Sequence, residues 1–175
     1  MDAAHFVFAP FLGYLWCFTR IFIKAPAGRK RFNVLGALDA ISHEMITVTN
    51  TGYINAVSVC EMLSKIAIKY SNIPVSIVLD NARYQKCKLV QEFADSLGIE
   101  LLYLPPYSPN LNLIERVWKF VKKKCLYSKY YADFDSFVHA ISHCLAKTNG
   151  KYRKELDSFL SLKFQSFKKS QIMTG

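Results

Sequence analysis

The spacing of apolar residues along this chain switches between strand-like and helix-like periods. From Ala3 to Phe18 no residue carries a formal charge, and Pro10 and Gly13 interrupt the run, which suits buried strand followed by an aromatic loop. Phe18–Lys24 alternates imperfectly. Arg31–Ile41 and Glu44–Thr49 are two β-branched or apolar runs arranged around Asp39–His43, a suitable hairpin connection. Val57, Cys60, Leu63, Ile66, Ala67 and Tyr70 then recur at helical spacing, which stops before Asn72 and Pro74. Val75–Leu79 is a short buried-strand run ending at Asp80. Cys87, Val90, Phe93, Ala94 and Leu97 mark a second helix, with Gly98 placed to end it in a left-handed conformation. Ile99–Leu104 forms another strand, and Pro105 to Pro109 a rigid turn, because each proline lacks a donor and restrains its predecessor. Ile114, Val117, Trp118, Val121 and Cys125 define the apolar face of a third helix; further helices are expected over Phe134–Leu145 and Leu156–Phe167. An early hairpin implies antiparallel pairing and strands joined through helices imply parallel pairing. The expected fold class is therefore α/β, a mixed sheet flanked by helices.

The chain has 175 residues, 51% of them apolar, and no linker or repeat divides it, so a single domain over 1–175 is expected, with 146–175 as a helical C-terminal extension. A net charge of +10 favours a polyanionic partner, nucleic acid or an anionic membrane surface. The uncharged run of 16 residues falls short of the ~20 needed to span a bilayer, and the opening Met1-Asp2 lacks the positive charge of a secretory signal. No membrane association is expected. Cys17, Cys60, Cys87, Cys125 and Cys144 lie far apart in mostly apolar company, with no C-x-x-C pair, and read as reduced core cysteines of a cytoplasmic protein.

Three carboxylates fall where this layout would expose them at one end of the sheet: Asp2, Asp80 at the carboxyl end of a strand, and Glu115 on the third helix. With no His or Cys cluster beside them they suit Mg²⁺ or Mn²⁺ in preference to zinc. Each has a plainer use. Asn112 could cap the third helix with Glu115 reaching back in a capping box, and Glu115 could pair with Lys119 one turn on. Asp80-Asn81 could simply turn the chain after a strand. His5 reads as a polar residue packed near the site, and Trp118 as core. Lys119, Lys122, Lys123 and Lys124 are either a solvated helix face or a phosphate-contacting one.

Asp80-Asn81-Ala82-Arg83-Tyr84, with 34 residues between Asp80 and Glu115, and Glu115 itself inside the segment Leu104–Trp118 together resemble the DDE transposases of mariner-like bacterial insertion sequences. Asp2–Phe6 resembles the segment holding their first Asp, and Asn33–Ala37 the strand after it. The resemblance covers Asp2 to about Leu145 and implies a ribonuclease H-like fold. It further implies two divalent ions, Mg²⁺ or Mn²⁺, held by Asp2 and Asp80 on adjacent strands and by Glu115 on a helix. DNA cleavage at element ends and strand transfer to a TA target would follow, with a homo-oligomer as the active form. Relatives often carry Glu after the first Asp and His shortly after the Asp-Asn pair, where this chain has Ala3 and Gln85. They also carry a helix-turn-helix region ahead of the first Asp, here preceded only by Met1. Asp2 is accordingly expected to fray and the isolated chain to cleave weakly. The alternative is an inactive fragment that binds DNA non-specifically and interferes with a full-length transposase.

Overall fold

The computed structural model describes residues 1–8, 18–19, 30–105 and 111–160. Three strands, β1 (Asp2–Phe8), β2 (Lys30–Leu38) and β3 (Met45–Asn50), precede α1 (Ala56–Lys69). They are followed by β4 (Val75–Leu79), α2 (Lys88–Ser96), β5 (Ile99–Tyr103), α3 (Ile114–Cys125), α4 (Phe134–Ala146) and the short α5 (Arg153–Asp157). β1, β2 and β3 form an antiparallel ladder in that order, with Asp2 opposite Gly36, and β4 and β5 form a parallel one. The two ladders meet where the main-chain nitrogen of Met1 donates to the Val78 carbonyl at 2.7 Å. The expected mixed arrangement is thus two hydrogen-bonded ladders stitched beside Asp2.

Period-2 alternation sorts the strands between two cores. Ala4, Phe6 and Phe8 of β1 and Phe32 and Val34 of β2 pack with Val117, Trp118 and Val121 of α3, Phe137 and Ile141 of α4, and Leu156. Met1, Leu35 and Val48 face the opposite way, joining Val59, Met62 and Leu63 of α1, Leu79 of β4 and Val90 and Ala94 of α2. Helices therefore cover both faces of the β1–β3 ladder, whereas the β4–β5 ladder is covered on one face and leaves Ser76, Val78, Glu100 and Leu102 exposed on the other.

Local chemistry sets the element ends. Asn55 accepts from the Ser58 amide while Ser58 answers the Asn55 amide, a reciprocal cap for α1, and Asp133 caps α4 through the Ser136 amide. Gly98 closes α2 at φ +65°, as its lack of a Cβ permits. Helix α5 departs from expectation: it begins at Arg153 and ends at Asp157, whereas the apolar spacing predicts Leu156–Phe167. Arg153 and Asp157 pair along it and Asp157 also holds His43, while Leu156 and Leu160 are buried as a compact turn beside Phe120. Residues 161–167 lie outside the described set, as do Phe18–Lys24 beyond residue 19 and Pro106 to Pro109. Residues 3–8 of the uncharged N-terminal run are strand, and among the described residues no helix is long and apolar enough to cross a membrane.

Candidate active site

Asp2 opens β1 on the face that carries Ala4, Phe6 and Phe8, beneath α3. Its main chain pairs with Gly36 on one side, and the neighbouring Met1 is bonded to Val78 on the other. The residue is 8% exposed, and its Oδ2 accepts the indole N–H of Trp118 at 3.0 Å. Burial pushes the Asp2 carboxyl above its ordinary range and the nearby Asp80 charge adds to this, while the Ala3 amide and Trp118 indole act in the opposite direction.

Asp80 follows β4 directly. Its Oδ1 accepts the Ala82 amide at 3.1 Å, so it does make the Asx turn that its plainer reading required, and Asn81 donates its side-chain amide to the Leu104 carbonyl. That second bond ties the end of β4 to the end of β5, where the Leu104 amide already meets the Leu79 carbonyl at 2.8 Å. The turn therefore fixes Asp80 at the carboxyl end of the parallel ladder and occupies one of its oxygens.

Glu115 sits in the first turn of α3, half-buried. The capping box expected from Asn112 is not formed. The cap position is Leu113 with no side-chain cap, and Asn112 is buried, its amide turned to the Met1 carbonyl at 3.4 Å. Freed from a capping role, Glu115 approaches Asp2. Burial raises its carboxyl most, the Asp2 charge raises it next, and Lys122 and Lys119 pull it back. Two carboxylates far apart in the sequence thus meet between β1 and α3.

The lysines of α3 divide by helical geometry. Lys119, Lys122 and Lys123 follow Glu115 by four, seven and eight residues and share its side of the helix. Lys124 falls about 180° round from Glu115 at 3.6 residues per turn. There it pairs with Glu155 at 2.8 Å and lies over the Phe120 and Tyr152 rings, 5.4 and 5.3 Å from their centroids. His5 is also placed away from the carboxylates, on the opposite face of β1, where its Nδ1 meets Asn33 Oδ1 at 2.7 Å.

Two neighbours of the site were not singled out by residue type. Trp118, which helical spacing assigned to the core, is buried yet also serves as a donor to Asp2. Tyr84, four residues beyond Asp80, is half-buried, and burial together with the Asp80 and Asp2 charges pushes its hydroxyl up to about 12. It remains a neutral group beside the carboxylates at physiological pH. Gln85 is fully buried, and its side-chain amide makes no hydrogen bond to the described residues, although its main-chain carbonyl accepts the Tyr103 hydroxyl at 3.1 Å.

Among the described residues no three His, Cys, Asp or Glu side chains group closely enough to cage an ion unaided. The chemistry of the donors still suits a hard divalent cation. Mg²⁺ commonly takes one or two carboxylates and completes its shell with water and substrate phosphate. Burial raises the Asp2 and Glu115 carboxyls most, and neighbouring carboxylate charge adds to it, so a divalent cation bound between them would offset both.

The fold is a ribonuclease H-like α/β core of the kind found in integrase and transposase catalytic domains. Among solved structures, the chain resembles an integrase-containing assembly, the simian T-cell lymphotropic virus intasome, at TM-score 0.60 and 18% identity over 96% of this chain and 56% of that one. The Mos1 transposase paired-end complex with the left transposon end matches at 0.58 and 15% over 91% and 55%, and the BIV integrase catalytic core at 0.53 and 19% over 74% and 88%. A family model for the DDE superfamily endonucleases matches residues 19–138, and the chain belongs to that family. An uncharacterized protein of Sinorhizobium fredii, y4pE/y4sA, is 41% identical over 52 residues, 30% of this chain and 36% of the relative. The chain thus spans about a third of that relative, and 56% and 55% of the intasome and Mos1 chains.

Proposed function

We propose that the chain is the catalytic domain of an insertion-sequence transposase, cutting DNA and joining strands with divalent metal ions. The observation that carries this reading is the meeting of the Asp2 and Glu115 carboxylates between β1 and α3, with Asp80 close enough on the next ladder to raise Asp2 by its charge. Asp2, Asp80 and Glu115 would be the ligands of two Mg²⁺ or Mn²⁺ ions. When bound, such a pair activates the attacking water or 3′-hydroxyl and stabilises the leaving oxygen.

The chain's own residues do the rest. The Trp118 indole and the Ala3 amide orient Asp2, the Asx turn orients Asp80, and α3 brings Glu115 over the sheet edge. Lys119, Lys122 and Lys123 extend from Glu115 along one side of α3 and would contact DNA phosphates; Lys124, held by Glu155, is left out of that face. The Mos1 complex is named for the transposon end it holds, which supports DNA as the partner, and the active form would be a homo-oligomer. We take residues 1–175 as one catalytic domain, with 146–175 its C-terminal extension.

The test is Mg²⁺-dependent nicking of duplex DNA by the chain and by Asp80→Asn and Glu115→Gln. Each amide keeps the shape of the side chain and removes the charge that holds the ion. Both variants are expected to stay folded and lose nicking. Retained nicking in either removes that residue from the ligand set. A parent chain that binds DNA and shows no nicking under Mg²⁺ or Mn²⁺ would point to the inactive, interfering fragment.

A further inference from the structure

We infer that Trp118 is a positioning residue for the metal site, holding the Asp2 carboxylate through its indole N–H, and that Gly36 exists to admit that indole. The inference rests on Asp2 being a metal ligand. Trp118 is 2% exposed, and a buried indole N–H requires an acceptor. It finds Asp2 Oδ2 at 3.0 Å, an acceptor that is itself buried.

The identity of the donor matters. A Lys or Arg at this position would neutralise Asp2 and compete with a metal ion for it. A neutral N–H fixes one oxygen without neutralising it and so keeps the negative charge of the carboxylate available to a cation. The ring is in turn fixed by its edge contact with Phe6, at 6.5 Å between centroids and 82° between planes.

Gly36 stands opposite Asp2 in the ladder. A Cβ there would come within 2.5 and 2.8 Å of the Trp118 ring carbons Cη2 and Cζ2 and 3.0 Å of Ile114 Cδ1. Any side chain at position 36 would displace the indole and with it the hydrogen bond. Asp2, Gly36 and Trp118 therefore act as one unit drawn from β1, β2 and α3.

The test measures metal binding directly, by calorimetric titration of the 175-residue chain with Mn²⁺ in the absence of DNA. Trp118→Phe keeps an aromatic ring against Phe6 and removes the N–H. Its Mn²⁺ affinity is expected to fall about 10- to 100-fold, the usual cost of losing an outer partner of a ligand. Nicking should recover as Mn²⁺ is raised, which a loss of folded protein would not do. A second measurement needs no folded variant. The Trp118 indole resonance in a ¹H–¹⁵N spectrum, assigned with Trp16→Phe, should move on Mg²⁺ addition in the parent. Parent-like Mn²⁺ affinity in Trp118→Phe while Asp2→Asn loses binding overturns the role of Trp118 and leaves the site standing. Unchanged affinity in both, or an indole resonance indifferent to Mg²⁺, overturns the inference, and the former result overturns the site with it.

Discussion

At the residue scale the site stores a conflict between folding and charge. Asp2 and Glu115 both have carboxyls raised by burial and by like charge, so each binds its proton more tightly in the folded chain than in the unfolded one. The stabilisation linked to that proton is complete below the unfolded values, 3.8 for Asp and 4.5 for Glu, and is lost as pH rises through the raised folded values. At neutral pH the metal-free chain therefore bears a cost. Asp2→Asn, which keeps an acceptor for the Trp118 indole, should melt higher than the metal-free parent at pH 7. A gain on the order of 1 kcal/mol corresponds to roughly 2–4 °C for a chain of this size. The difference should shrink as pH falls through the raised value of the folded Asp2 carboxyl and vanish below the unfolded value of 3.8, where the parent carboxyl is protonated in both states. Thermal melts of the two proteins in chelator, at pH values on either side of the carboxylate range, check the sign. Added Mg²⁺ should raise the parent and leave Asp2→Asn unmoved. A parent more stable than Asp2→Asn at neutral pH without metal would show that the Asp2 charge is compensated by the protein itself.

At the scale of elements, hydrophobic period locates almost everything and polar contacts locate what period cannot. Val75–Leu79, Lys88–Ser96 and Ile114–Cys125 stand where apolar spacing puts them, because each buries one continuous stripe and has little alternative. Helix α5 escapes that pattern because Arg153, Asp157, Ser42 and His43 hold it through polar bonds, some between segments over a hundred residues apart. No local pattern contains such a partner. The Asn112 cap fails for a related reason: the side chain that would have accepted from the first amides of α3 is buried against Met1 and donates to its carbonyl, so a long-range partner takes it from a short-range one. Trp118 is legible as an apolar position, whereas its bond to Asp2 depends on how α3 crosses β1, which spacing within a helix does not encode. The packing of α3 on β2 makes a prediction at this scale. Gly36→Ala forces the Trp118 ring aside and should destabilise the chain by ~1–3 kcal/mol, the usual cost of overpacking. Combined with Trp118→Phe, whose smaller ring leaves room, the loss should be less than the sum of the two single losses. Urea unfolding of the four proteins closes the cycle, and strict additivity would show that position 36 does not press on the indole.

For the whole molecule the question is where a net charge of +10 is directed. Charge alone predicts only that the chain attracts polyanions; the fold decides which cations can act together. On α3 the division is sharp. Lys119, Lys122 and Lys123 share the side of the helix that carries Glu115, so on the proposed function a phosphate backbone brought to the carboxylates would pass along them. Lys124 is turned to the other side, paired with Glu155 and laid over Phe120 and Tyr152. If affinity came from net charge, neutralising any of the four would weaken DNA binding alike. If it comes from a face, neutralising any of the first three should weaken binding and flatten its salt dependence, by up to ~0.9 in the slope of log K against log salt for each phosphate left without its lysine. Lys124→Gln should leave affinity and slope at the parent values and act only on the packing of α5 against α3. Fluorescence anisotropy with a labelled duplex across a range of salt concentrations, comparing the single variants Lys119→Gln, Lys122→Gln, Lys123→Gln and Lys124→Gln, separates the two outcomes. The same titrations on duplexes of unrelated sequence should give nearly equal affinities, since phosphate contacts carry no base information. An equal reduction of slope in Lys124→Gln would mean that DNA wraps round α3 to its far side, and that the pairing with Glu155 yields when DNA binds.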